Sequence, residues 1–154
     1  MKKIIHVSKA DTMTDIGLLV ARLGIAVLML THGIPKMMML LSGAPVQFPP
    51  VMGLSAELSL MLTVFAEVFC SVLIMAGLAT RLAVVPLIIT MLVAAFIIHA
   101  ADPLAKQEPA LQYLLVYIVL LFAGSGKYSI DYLLQGNRSN NVSTRTSIVE
   151  DYNY

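Results

Sequence analysis

The sequence is poor in the residues with which soluble proteins face water and build redox or metal centres. Only 12% of its 154 residues are charged, well below the ~25% typical of soluble domains, and it has no tryptophan and a single cysteine, Cys70. One cysteine excludes an internal disulfide and a CxxC metal or redox motif. The net charge of +1 gives no reason to expect a nucleic-acid partner. The sequence is instead rich in apolar residues.

Apolar residues make up 58% of the chain and the mean hydropathy is +0.85. About 20 consecutive apolar residues are needed for a helix to cross the hydrocarbon core of a bilayer. Runs of this kind, the last one somewhat short, cover Ile16–Leu41, Leu58–Leu78, Leu82–Ala101 and Leu111–Gly124. We therefore expect an all-α, integral membrane four-helix bundle over residues 16–134. A polar N-terminus (1–15) precedes it, and a polar tail (135–154) that we expect to be disordered follows it.

Proline positions predict irregular helix ends. Pro35 cannot donate a hydrogen bond to the carbonyl of Thr31, so the first helix should kink or end between these two residues. The fourth apolar run is shorter than a membrane span requires, and we expect its helix to start as early as Pro109.

The distribution of positive residues predicts the orientation in the membrane. With four spans, one side of the membrane receives Lys2, Lys3, Lys9, Arg81, Lys127, Arg138 and Arg145, and the other receives Lys36 and Lys106. Because cytoplasmic loops carry the excess of Lys and Arg, we expect both termini to be cytoplasmic.

Glu67 is the one charge in the second apolar run and lies near its middle. A carboxylate at the bilayer centre costs roughly 2.5–3.5 kcal/mol on insertion scales, so it usually faces protein or water and has a partner. Helical spacing predicts a bundle-facing stripe on the first helix, comprising Arg22, Ala26, Met29, Gly33 and Lys36. Two interpretations stay open: Arg22 and Glu67 form a structural ion pair, or Arg22 adjusts Glu67 as a proton acceptor.

A second polar group should gather at the outer ends of the helices. Its members come from all four helices: His32, Lys36, Glu57, His99, Tyr113 and Tyr117. They would frame a mouth for a small anion or a quinone head group, with His32 or His99 moving protons near neutral pH. The alternatives are plainer, since interfacial tyrosines are common in membrane proteins and terminal histidines are usually solvated. Two facing histidines also suit haem, but we expect neither a bound cofactor nor a metal.

Two motifs are rejected. Residues 124–129 (GSGKYS) resemble the end of a phosphate-binding loop, but Leu121 and Tyr128 break the pattern G-x-x-x-x-G-K-[ST]. The ten methionines could bind Cu(I), yet scattered residues such as Met29 and Met91 are more simply gap-filling core.

The order of these features resembles the DoxX family of small four-helix bacterial membrane proteins, which is related to the small subunit of thiosulfate:quinone oxidoreductase. The resemblance lies in ARLGIAVLMLTHGIPKM, AEVFCSVLIMAGLATRLA and AGSGKYSIDYLL, and covers residues 16–134. It implies an inner-membrane location and, for some members, sulfur or redox-stress complexes with soluble partners. Thiosulfate oxidation is not implied, because this chain has one cysteine.

Two functional classes remain. The first is a membrane subunit of a quinone-linked or redox-stress oxidoreductase system, in which Glu67, Arg22, His32 and His99 are the candidate catalytic residues. The second is a small-molecule or ion transporter, or a membrane scaffold, without enzymatic activity. Beyond the lipid bilayer, we expect a soluble redox partner and self-association as possible partners of the chain, and quinone as a possible substrate.

Overall fold

A computed structural model describes residues 12–135, so the expectations for residues 1–11 and for the tail from 136 onward lie outside the described residues. The long helices are α1 (Thr12–Leu41), α2 (Ala56–Ala76), α3 (Thr80–Ile98) and α4 (Leu104–Ala123). A further helical turn begins at residue 130, and no strand occurs in the described part of the chain. The predicted all-α class is confirmed.

Of the helices described, α1, α2 and α3 are long and apolar enough to cross a membrane. Helix α4 has 20 residues, but its first two turns carry Lys106, Gln107 and Glu108, which interrupt its apolar run. The chain is therefore a membrane protein with three candidate spans, while a fourth span stays a prediction.

The predicted bounds of two helices need correction. Helix α1 does not end between Thr31 and Pro35, because Pro35 lies inside it, and the alternative of a kink at this point stays a prediction. The contacts of Gly33 and Lys36 with α2, described below, hold α1 on both sides of the proline, and membrane helices tolerate proline where neighbouring helices support them. Helix α4 begins at Leu104 instead of Pro109 or Leu111.

The early start of α4 has a visible cause. Gln107 donates from Nε2 to the carbonyl oxygens of His99, at 2.9 Å, and Asp102, at 3.1 Å. These hydrogen bonds connect the first turns of α4 to the end of α3. The first turns of α4 are therefore held in a helix although their side chains are polar.

The predicted bundle-facing stripe of α1 is confirmed. Arg22, Ala26 and Met29 are each 1% exposed and Gly33 is buried, while Lys36 is half-buried. Glu67, Cys70 and Ser71 of helix α2 are buried as well, and Glu67 lies against Gly33 of this stripe. The core thus holds polar groups on the face where α1 and α2 touch.

Two helices contain a π-helical stretch, which the sequence analysis did not predict. In α2 it covers Phe65–Cys70, and in α3 it covers Ala94–Ile98. A π turn inserts one residue into the helix and turns the following side chains, and it is frequent at functional sites.

Candidate functional site

An ion pair connects α1 to α2 about halfway along α2. Nζ of Lys36 on α1 lies 2.5 Å from Oε1 of Glu67, within the π-helical stretch of α2. The Glu67 side chain is 3% exposed and that of Lys36 is 30% exposed. The carboxylate is thus buried and the ammonium reaches it from a more open position.

Gly33 explains why α1 and α2 come so close at this point. A Cβ on Gly33 would lie 2.8 Å from Cγ2 of Val68 and 3.0 Å from Cβ of Glu67. Only a residue without a side chain lets the backbones touch there, as is common where membrane helices cross. Lys36, one turn further along α1, is thereby brought over the carboxylate.

The ion pair forms part of the wall of a cavity of about 160 Å³. The lining comes from all four helices and the α3–α4 loop: Met29, His32, Lys36, Glu67, Met91, Ala94, His99, Lys106, Pro109, Ala110 and Tyr113. Apolar and charged groups share this wall, and both π-helical stretches contribute to it through Glu67 and Ala94. We call this end of the molecule the cavity end.

Aromatic rings lead from the mouth of the cavity into the core. The rings of His32 and Tyr113 meet edge to face with centroids 5.8 Å apart, and Tyr113 stacks on Tyr117 at 6.2 Å. His32 is exposed, Tyr113 is half-buried and Tyr117 is fully buried. Tyr113 lines the cavity together with Glu67, and Tyr117 lies behind Tyr113.

A polar loop forms the rim of the cavity. Nδ1 of His99 lies 2.7 Å from Oδ2 of Asp102, and Nζ of Lys106 lies 3.5 Å from Oδ1 of the same residue. The hydrogen bond with His99 lowers the pKa of Asp102, and Lys106 adds to this effect. A carboxylate on Nδ1 orients the imidazole, which leaves Nε2 as the nitrogen able to serve a ligand.

Arg22 lies at the opposite end and does not pair with Glu67, so the predicted ion pair is wrong. Its Nη2 donates to the carbonyl oxygen of Tyr128 at 2.6 Å, and Asp131 attracts its charge. The guanidinium packs on Gly77, where an added Cβ would overlap Nη1. Arg22 is thus a structural anchor for the segment after α4, which we call the clasp (residues 124–131).

The clasp binds three helix ends at what we call the clasp end. Asp131 accepts from the backbone nitrogen of Ala79 at 2.8 Å, at the start of α3, and its own nitrogen donates to the carbonyl of Gly77 at 3.0 Å. Lys127 pairs with buried Asp15 of α1, Nζ to Oδ2, at 3.0 Å. The residues that resemble a phosphate-binding loop therefore serve to close one end of the bundle.

The candidate residues divide between these two regions. The cavity collects Glu67, His32, His99, Lys36 and Tyr113, and Tyr117 lies beneath them. Glu57 is exposed near the start of α2 and is absent from the lining described above. Sequence reasoning missed Met29, Met91 and Lys106 as lining residues, because methionines in helices are ordinarily core and Lys106 precedes the predicted start of the fourth helix.

Within residues 12–135, no group of three or more His, Cys, Asp or Glu side chains is arranged to hold a metal ion. The chemistry available at the cavity is therefore that of one carboxylate, two ammonium groups, two imidazoles and phenols around an apolar space. This set can hold an uncharged or anionic ring and exchange protons with it.

Residues 17–100 match the protein-family model described as DoxX, and the match covers more than half of the chain. It includes Lys36, Glu67 and both π-helical stretches, and it ends before α4 and the clasp. Comparisons with curated proteins and with solved structures return no significant match.

Proposed function

Because the chain belongs to the DoxX family of membrane proteins, we propose that it is a multi-pass inner-membrane subunit of a quinone-linked or redox-stress oxidoreductase system. In this proposal α4 is the fourth span, the clasp end faces the cytoplasm and the cavity end faces outward. Arg81 and Lys127 lie at the clasp end, and Lys36 and Lys106 line the cavity. This division agrees with the positive-inside rule, because the sequence assigns more Lys and Arg residues to the side that holds Arg81 and Lys127.

The observation that carries the proposal is the cavity around Glu67 and Lys36. Its volume of about 160 Å³ is close to that of an engineered apolar cavity of about 150 Å³ that binds benzene. One six-membered ring fits such a space. Met29 and Met91 supply adaptable apolar walls for the ring.

The polar groups suit the two carbonyl oxygens of a quinone ring. Lys36 and Lys106 are donors, and a reduced quinone must exchange protons, for which Glu67 and the histidines are suitable acids and bases. We assign Glu67 as the proton-exchanging residue, Lys36 as its charge partner and His99 as a second proton carrier held by Asp102. Arg22 is assigned a structural role, not a catalytic one.

The electron donor in this proposal is a soluble redox protein that binds the chain at the membrane surface. The chain also self-associates in the membrane. Quinone-linked electron transfer in isolated membranes with and without the protein tests the proposal. We expect activity to fall without the protein, to fall likewise with Glu67→Gln, and to persist with Glu57→Gln, which changes an exposed glutamate of the same helix. A rate of quinone reduction that is the same with and without the protein favours the transporter or scaffold.

A further inference from the structure

Three buried polar atoms between the cavity and the core have no hydrogen-bond partner among the residues described: Oε2 of Glu67, Oγ of Ser71 and Oη of Tyr117. The Ser71 and Tyr117 residues are fully buried and Glu67 is 2% exposed. Unsatisfied buried polar atoms are rare in proteins, and where such groups cluster, ordered water usually supplies the missing bonds.

The three groups converge on one region. Glu67 lies within the π-helical stretch of α2 and Ser71 follows directly after it, four residues further along, and both side chains are buried. Side chains on a helix lean toward its N-terminus, and the N-termini of α2 and α4 both lie at the cavity end. The Tyr117 ring therefore rises from α4 toward the level of the Glu67 carboxylate, and it stacks on Tyr113, which lines the cavity together with Glu67.

Below this region lies an apolar layer with one buried residue from each helix: Ala26, Ile74, Val84 and Leu120. Ile74, Val84 and Leu120 each lie within roughly 6 Å of the clasp end of their helices, at 1.5 Å per residue. Ser71 and Tyr117 lie further from that end and Glu67 further still. The layer thus lies on the clasp side of the three polar atoms.

We propose that water enters from the cavity as far as Ser71 and links Glu67 to Tyr117, forming a proton relay that is closed toward the clasp by the apolar layer. Protons then pass between Glu67 and the cavity end alone. No covalent bond other than O–H bonds is broken or formed. The relay rests on the proposed function only in that a ring bound above Glu67 would use its protons; the water itself requires no quinone.

Silver-ion accessibility of single cysteines tests the water. Cys70 is the one cysteine of the chain, so Cys70→Ala provides a thiol-free background. Ser71→Cys and Val84→Cys are then compared in lipid nanodiscs, because both positions are 0% exposed and both substitutions nearly preserve the side-chain volume. Thiols that silver reaches are protected from a maleimide added after denaturation.

We expect silver to react with Ser71→Cys at least about tenfold faster than with Val84→Cys, since a thiol in apolar surroundings is inert. Equal rates at the two positions would overturn the relay. The result does not depend on orientation or on quinone, so it separates failure of the relay from failure of the proposed function.

Infrared spectroscopy of the full chain keeps the test open if a cysteine variant does not fold. The carboxyl stretching band of Glu67 is identified by its loss in Glu67→Gln. We expect it to shift in deuterated water and to shift again in Tyr117→Phe, while Tyr128→Phe, an exposed tyrosine of the clasp, leaves it in place. A Glu67 band that is the same in Tyr117→Phe as in the unchanged protein contradicts the relay.

Discussion

The ammonium group of Lys36 lies 2.5 Å from Oε1 of Glu67, one helical turn beyond the point where Gly33 lets α1 and α2 touch. The position of the buried carboxylate is therefore set by backbone packing as well as by charge. The second carboxylate oxygen of this ion pair, Oε2 of Glu67, has no partner within the described chain.

A double-mutant cycle should identify the partner of Glu67. Glu67→Gln should lower the free energy of unfolding by about 1–3 kcal/mol, because a charge-assisted hydrogen bond is lost. The double variant with Lys36→Met should cost less than the sum of the two single changes, by about 0.5–3 kcal/mol, since the residues are in contact.

The corresponding cycle with Arg22→Gln serves as the control. Arg22 and Glu67 share no partner in the described structure, so their effects should add to within about 0.5 kcal/mol. Thermal unfolding in detergent measures both cycles. Strong coupling between Arg22 and Glu67 would contradict the contacts seen here.

Gly77→Ala should prevent stable folding of the clasp end. Gly77 has φ +69°, a conformation that side chains disfavour, and an added Cβ would overlap Nη1 of Arg22 and lie 2.6 Å from Cβ of Ser129. Gly24→Ala is the matched control, because nothing lies within 4 Å of its Cβ position in α1. We expect the control to be neutral or more stable by about 0.5–1 kcal/mol, and equal thermal stability of the two variants would refute the packing.

The stability of the fold should depend on pH through Asp102 at the rim of the cavity. The pKa of Asp102 is lowered in the folded protein by its hydrogen bond with His99. A lowered pKa stabilises the fold at pH values above the unfolded pKa of about 3.9. That contribution is lost as pH falls through the lower folded value.

Asp102→Asn should remove this part of the acid sensitivity. The variant should be less stable than the unchanged protein at pH 6, with the difference narrowing toward pH ~3, below the ordinary aspartate value of about 3.9. Unfolding followed by circular dichroism across this range checks the sign. A difference that widens on acidification would show that Asp102 is not stabilised as a carboxylate.

Reporter fusions test the orientation. Fusions at Arg81 and at the C-terminus should read as cytoplasmic, and a fusion at Lys106 should read as external, because Lys and Arg favour the cytoplasmic side. A cytoplasmic Lys106 would contradict four spans, and an external C-terminus together with an external Lys106 would leave α4 outside the membrane.

The membrane helices were predictable because a long apolar run and a helical stripe are local properties of the sequence. The stripe from Arg22 to Lys36 was correct, since helical geometry alone decides which of its residues share a face. The partner of Glu67 was not predictable in the same way. Arg22 and Lys36 lie on one stripe, and the choice between them depends on the register of α1 against α2, which the contact at Gly33 determines.

Nonlocal contacts account for the other errors. Arg22 is held by the carbonyl of Tyr128, 106 residues away, and no helical pattern signals that bond. The π turns, which help to shape the cavity, have no clear local signal either. Glu57 lies ten residues before Glu67, which at 1.5 Å per residue places it roughly 15 Å away along α2, and its role as a binding residue stays a prediction.

The most direct test of the central claim is photolabelling with a light-activated quinone analogue in nanodiscs, with the attached residues mapped by mass spectrometry. We expect label on cavity residues such as Met29, Met91 and Tyr113, displaced by excess unlabelled short-chain quinone. Labelling should fall with Glu67→Gln and persist with Glu57→Gln. Label spread over the lipid-facing sides of the helices, neither displaced by quinone nor changed by Glu67→Gln, would contradict a quinone site at the Lys36–Glu67 pair.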